Sequence, residues 1–150
     1  MSNLEDRVIK VLKAKMEACD GESVMPVLKG EPIPFWESPT GLGLEVEQLK
    51  DFIIEWKELA AIVEKANELG GKMYRGDQLA QRVGAKLGEE IPYECMEGFI
   101  ASELLGIPDG NSITRRSTYY SGILAWAGIV QIHRSTGKGS YITVNLEYRK

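Results

Sequence analysis

A chain of 150 residues with 43% hydrophobic and 27% charged residues suits one domain, or a small domain with an extension, and is too apolar for wholesale disorder. It has no run of 18 or more apolar residues, and its N-terminal stretch is charged and amphipathic where a secretory signal is apolar, so the expected location is cytoplasmic. The net charge of −4 argues against a generic polyanion binder, yet residues 1–110 hold 12 Lys and Arg against 21 Asp and Glu, while 111–150 hold six basic residues against Glu147 alone.

Leu4, Val8, Val11, Leu12 and Met16 recur at helical spacing and predict a helix over 3–18, ended by Cys19-Asp20-Gly21. Residues 20–43 hold four of the six prolines and four of the sixteen glycines. They read as an irregular arm that docks through Phe35 and Trp36. Val46, Leu49, Ile53, Trp56, Ala60 and Val63 lie three and four apart and predict a helix over 44–69. Phe52, Leu59, Ile62 and Ala66 widen its stripe, which suits a core-facing helix or the seam of a homodimer. Gly70-Gly71 stops it. Lys72 to Arg75 reads as a short extended piece. Asp77 is placed to N-cap a helix over 78–87, ended by Gly88. Pro92 opens a helix to Leu105, with Gly106 as its C′ residue. Pro108-Asp109-Gly110-Asn111 is a turn.

Ser112 or Thr114 can cap a helix reaching Ala127. Ile113, Tyr120, Ile123, Leu124 and Ala127 share its core face. The opposite face carries Thr114, Arg115, Thr118, Ser121, Gly122 and Ala125, flanked by Tyr119 and Trp126. Small and polar side chains with an arginine near the helix start suit close approach to a DNA major groove. No Asp or Glu occurs from Asn111 to Leu146, which favours that reading over a solvated surface. Arg116 lies nearer the core side and is expected to meet phosphate or an acidic neighbour. Val130 and Ile132, then Ile142, Val144 and Leu146, alternate with polar residues as half-buried strands, joined through Ser135 to Gly139 as a hairpin. Arg134 and Lys138 would stand at its end, positioned for salt-dependent contact with backbone phosphates.

IASELLGI at Ile100–Ile107, SITRRSTYYSGILAWAGIV at Ser112–Val130 and GKGSYITV at Gly137–Val144 together resemble the winged helix-turn-helix superfamily: a first helix, a recognition helix and the second strand of the wing. The resemblance covers about residues 72–146. The fold class it implies is mainly α with a small β-hairpin (α+β): a winged helix-turn-helix domain over 72–150 behind a helical extension over 1–70.

Enzyme chemistry finds no footing. Gly137-Lys138-Gly139-Ser140 lacks the upstream glycine of a phosphate loop, since that position is Ile132. Asp51 with Glu55-Trp56-Lys57 echoes a nuclease triad only faintly, with its acids four apart on a predicted helix. Cys19 and Cys95 are isolated and His133 has no partner of a recognisable signature, so neither a disulfide nor a metal site is expected. The expectation is a DNA-binding protein without a cofactor, a transcription regulator that reads duplex DNA with helix 112–127 and the wing 129–146 and dimerises through 44–69. The alternative is a protein-interaction module or complex subunit on the same fold.

Overall fold

α1 (Asn3–Ala18) packs a stripe of Leu4, Val8, Leu12 and Met16, spaced one helical turn apart, into the interior. Each such side chain contributes about 1.5–3 kcal/mol by leaving water. The helix stops as predicted: Asp20 and Gly21 take positive φ, and the Gly21 N–H donates to the Met16 carbonyl at 2.8 Å. This computed structural model describes residues 3–28, 30–80, 84–134 and 139–149.

The segment expected to be an irregular arm and the first half of a helix is instead a four-stranded antiparallel sheet. Its strands β1 (Glu22–Met25), β2 (Ile33–Glu37), β3 (Gly43–Val46) and β4 (Leu49–Glu55) follow one another as a meander. The predicted helix over 44–69 therefore begins only at Trp56, as α2 (Trp56–Glu68). The spacing of Val46, Leu49, Ile53 and Trp56 fits a helix, but it equally results from two strands that turn back at Glu47-Gln48 and pair Val46 with Leu49. A bulge after Glu45, with Asp51 at φ 57°, absorbs the extra residues of β4. Pairing and burial of the sheet's inner face override a helical period that is local and accidental. That face presents Met25, Ile33, Phe35, Leu44, Val46 and Ile54, so the docking expected of Phe35 is realised inside a strand.

The start of α2 is held by the Glu58 carboxylate, which accepts the Glu55 N–H at 3.0 Å. Leu59, Ile62, Val63 and Ala66 have no exposure. Of the two uses that the stripe suits, its α2 part serves the chain's own core. β5 (Lys72–Tyr74) follows Gly70-Gly71, as expected of an extended piece. α3 (Asp77–Ala80) starts where predicted, but Gly84 has φ 79° and Lys86 and Leu87 lie in bridges to Ser112 and Ile91, so the predicted helix does not reach residue 87. Residues 92–105 also turn later than expected: Cys95 caps α4 (Met96–Phe99), which runs on as a π-helical turn through Leu104. α5 (Ser117–Trp126) begins at Ser117 instead of Ser112, and Gly128 closes it at φ 77°. β6 (Val130–His133) and β7 (Tyr141–Val144) form the predicted hairpin, and β5 joins them in the order β5-β7-β6.

Two antiparallel sheets replace the single hairpin of a mainly α chain, and the fold is mixed α and β. One core cluster runs from Leu4 to Tyr148 and includes α1, both sheets, α2 and α5. A smaller cluster of Ala85, Leu87, Ile91, Cys95 and Ala101 supports the long connection before α5. Backbone approach is close at Gly43, where an added Cβ would meet the Ile54 carbonyl oxygen at 2.1 Å. Gly43→Ala is expected to force β3 from β4 and cost about 1–3 kcal/mol, read as a lower midpoint in urea unfolding. An unchanged midpoint would mean that the two strands do not pair as described.

Candidate functional site: an arginine-bearing cavity at the start of α5

Residues 111–116, just before α5, carry no acid, so the helix borrows its cap from elsewhere. Glu97 on α4 is 1% exposed, and its carboxylate accepts the Arg116 N–H at 2.9 and 3.2 Å and the Ser117 N–H at 3.0 Å. It also accepts the Ser117 hydroxyl at 2.6 Å. A negative charge at the positive end of a helix, saturated with donors, is favourable. Burial nonetheless pushes the Glu97 carboxyl above the usual range, against the lowering effect of those hydrogen bonds.

Beside this cap lies Arg75, directly after β5 and 4% exposed. Its Nη2 donates to Thr118 Oγ1 at 2.9 Å and stands 4.0 Å from Asp77. Burial lowers its pKa, partly offset by Asp77 and Glu97. Its Nε finds no partner among the described residues. Arg75, Asp77, Arg115, Thr118 and Tyr119 form one side of a cavity of about 730 Å³. The other side comes from the β1–β2 and β3–β4 turns of the four-stranded sheet, including Leu28, Glu31, Glu47 and Gln48. Arg134, just past β6, donates to the Leu28 carbonyl at this rim. A second cavity of about 460 Å³, beside β5 and lined by Leu69, Met73, Leu79 and Cys95, is more apolar and has no arginine among its described lining residues.

The predicted contact residues are divided by this arrangement. Thr114 and Arg115 are exposed, and Arg115, Thr118 and Tyr119 share the cavity. Arg116 is half-buried, its guanidinium 4.5 Å from the Phe52 ring centre, while its backbone meets the acidic neighbour Glu97. Ser121 points inward, has no exposure and donates to the Ser117 carbonyl at 2.6 Å. Lys138 lies outside the described residues. The remainder of the expected groove face is covered by the four-stranded sheet. A Cβ on Gly122 would meet Met25 Sδ at 2.6 Å, and Trp126 packs edge-on against Phe35 at 5.0 Å and donates to Ser23 Oγ at 3.0 Å. Hydrophobicity is the reason: Gly122, Ala125 and Trp126 leave a shallow apolar surface that gains more from burial than from water.

Arg75 and Glu97 escaped sequence reasoning because neither lies on a periodic face or in a motif. The one signal was the uncapped Arg115-Arg116-Ser117 start, which needs an acceptor from elsewhere. His133 faces outward on the three-stranded sheet, stacked on Tyr141 at 4.9 Å and 2.8 Å from Thr143 Oγ1. Among the described residues no cluster of three His, Cys, Asp or Glu side chains could hold a metal ion, and no helix is long and apolar enough to cross a membrane. Compared with protein families, with curated proteins and with solved structures, the chain matches none.

Proposed function

We propose that this chain is a winged-helix DNA-binding protein, acting as a transcription regulator, that meets duplex DNA with the start of α5, the β5–α3 junction and the β6–β7 hairpin. The length of α5 is not its reading surface. The order α2, β5, α3 to α5, β6, β7, with β7 between β5 and β6, supports the winged-helix reading. The observation that carries the DNA reading is the convergence of Arg75, Arg115 and Arg134, from separate parts of the chain, on one cavity and its rim. Exposed Arg115 and Arg134 supply the charge that releases counterions, and Thr114 and Thr118 supply hydroxyls for phosphate or base edges.

A second reading, a protein-interaction module, is favoured by a specific observation: the small-residue face of α5 is covered by Met25 and Phe35 and is unavailable to a groove. The two readings part on salt. A mixed-sequence duplex should be retarded at low salt and released as salt rises, with Arg115→Ala and Arg134→Ala each weakening binding and lowering the salt slope by about one. Absence of retardation at low salt by the folded chain would sink the DNA reading. Slopes unchanged in both variants would sink the residue assignment.

A further inference from the structure

The cavity of about 730 Å³ has walls of opposite character. Arg75, just after β5, Arg115, just before α5, and Thr118 on α5 line one side. The turns of the four-stranded sheet contribute Glu31, Glu47 and Gln48. Pro32, Pro34 and Tyr119 add apolar and flat surface. Asp77 also lines the cavity, but it is engaged by Arg75 at 4.0 Å and by the Ser140 hydroxyl at 3.3 Å. The second observation is Arg75 itself. It is 4% exposed, and its Nε lacks an acceptor among the described residues. Buried donors are almost always paired, so a spare one beside a cavity calls for an acceptor.

We propose that this cavity binds a nucleoside phosphate, with its phosphate on the Arg75 and Arg115 side, its base against Tyr119, and the amino and ring N–H groups of the base facing Glu31, Glu47 and Gln48. A purely anionic ligand would meet the two glutamates, and a cation would meet the two arginines. A ligand negative at one end and rich in donors at the other satisfies both walls. The volume lies within the roughly 300–1,000 Å³ of sites for small organic ligands and far exceeds what inorganic phosphate fills. Two sources carry this chemistry: a free mononucleotide, or a nucleotide turned out of a bound strand. Only the second rests on the DNA-binding reading.

The test is titration of the ¹⁵N-labelled full chain with inorganic phosphate and then with AMP, GMP, CMP and UMP. At least one mononucleotide should give saturable amide shifts at Gln48, Thr118 and Tyr119, at concentrations about tenfold or more below those phosphate requires. Arg115→Ala should weaken that binding about tenfold or more, as expected for loss of a charge-assisted contact to phosphate. Glu47→Gln should change the ranking of the four bases while the circular dichroism stays native. Both residues lie outside the core, so neither variant depends on tolerance at Arg75. A native chain that shows no such shifts, or that binds phosphate as well as the best nucleotide, overturns the proposal. The source is read from a mismatched duplex carrying 2-aminopurine. A fluorescence rise beside mononucleotide binding supports a nucleotide turned out of a strand, and mononucleotide binding without a rise supports the free ligand. Loss of duplex retardation with mononucleotide binding intact sinks only the DNA reading. Duplex retardation without mononucleotide binding sinks only this site.

Discussion

Phe35→Ala is expected to lower the unfolding free energy by about 3–5 kcal/mol and to do so in a single transition that melts both sheets together. Phe35 has no exposure and sits on β2, yet its ring meets Trp126 of α5 edge-on at 5.0 Å. Removing it opens a cavity between the N-terminal sheet and the C-terminal helix and also forfeits the aromatic contact. The consequence reaches beyond one residue. Met25, Phe35, Tyr120, Ile123 and Leu124 belong to one core cluster, so residues 56–150 alone would expose Gly122, Trp126 and the α2 stripe. That fragment is expected to lack a cooperative transition. Urea unfolding of Phe35→Ala followed by tryptophan fluorescence and by far-ultraviolet circular dichroism provides the check. Two separated transitions, or a folded 56–150 fragment, would show that the halves are independent.

Glu97→Ala is expected to cost about 2–4 kcal/mol, because three donors at the start of α5 lose their acceptor where water does not replace it. Glu97→Gln should cost less, since one oxygen remains to accept. The glutamine variant also isolates a pH effect. Burial raises the carboxyl pKa of Glu97, and likewise that of Glu58, which is 7% exposed and accepts from the Tyr120 hydroxyl at 3.3 Å. A carboxyl with a raised pKa binds its proton more tightly in the folded chain than in the unfolded one. Its contribution is therefore fully present below the unfolded value and is lost as pH rises through the folded value. Relative to Glu58→Gln/Glu97→Gln, the native chain should lose stability as pH rises from the ordinary carboxylate range toward the raised values. The difference in urea midpoint between the two proteins, followed across that pH window, measures it. A difference that stays flat, or that grows in favour of the native chain as pH rises, would contradict the buried positions of both groups.

The C-terminal part of the chain was legible because its signals are local. Val130, Ile132, Ile142 and Val144 alternate as strands must when one face is buried, and Gly128 stops a helix at a positive φ. α1 was legible for the same reason, one apolar residue per turn. The N-terminal sheet was not. β1 and β2 are short and carry prolines and glycines around them, and β3 and β4 happen to spell a heptad across their turn. Their stability comes from neighbours far along the chain, which no window of the sequence contains. The candidate site was legible in part: Arg115, Thr118, Tyr119 and Arg134 were found by charge and pattern. Arg75, Glu97 and the acidic wall of Glu31 and Glu47 were not.

By itself the sequence determined α1, the β6–β7 hairpin, the helix into Ala127 and the charge asymmetry between the acidic body and the basic end, because each depends on residue spacing or composition. The tertiary structure alone decided which face of α5 is free. Hydrophobic burial is indifferent to position along the chain, so Met25 and Phe35, far upstream of α5, cover the surface that local pattern assigned to a groove. What remains open is the start of that helix, held by a borrowed carboxylate cap, where a buried arginine and an acidic facing wall line one cavity.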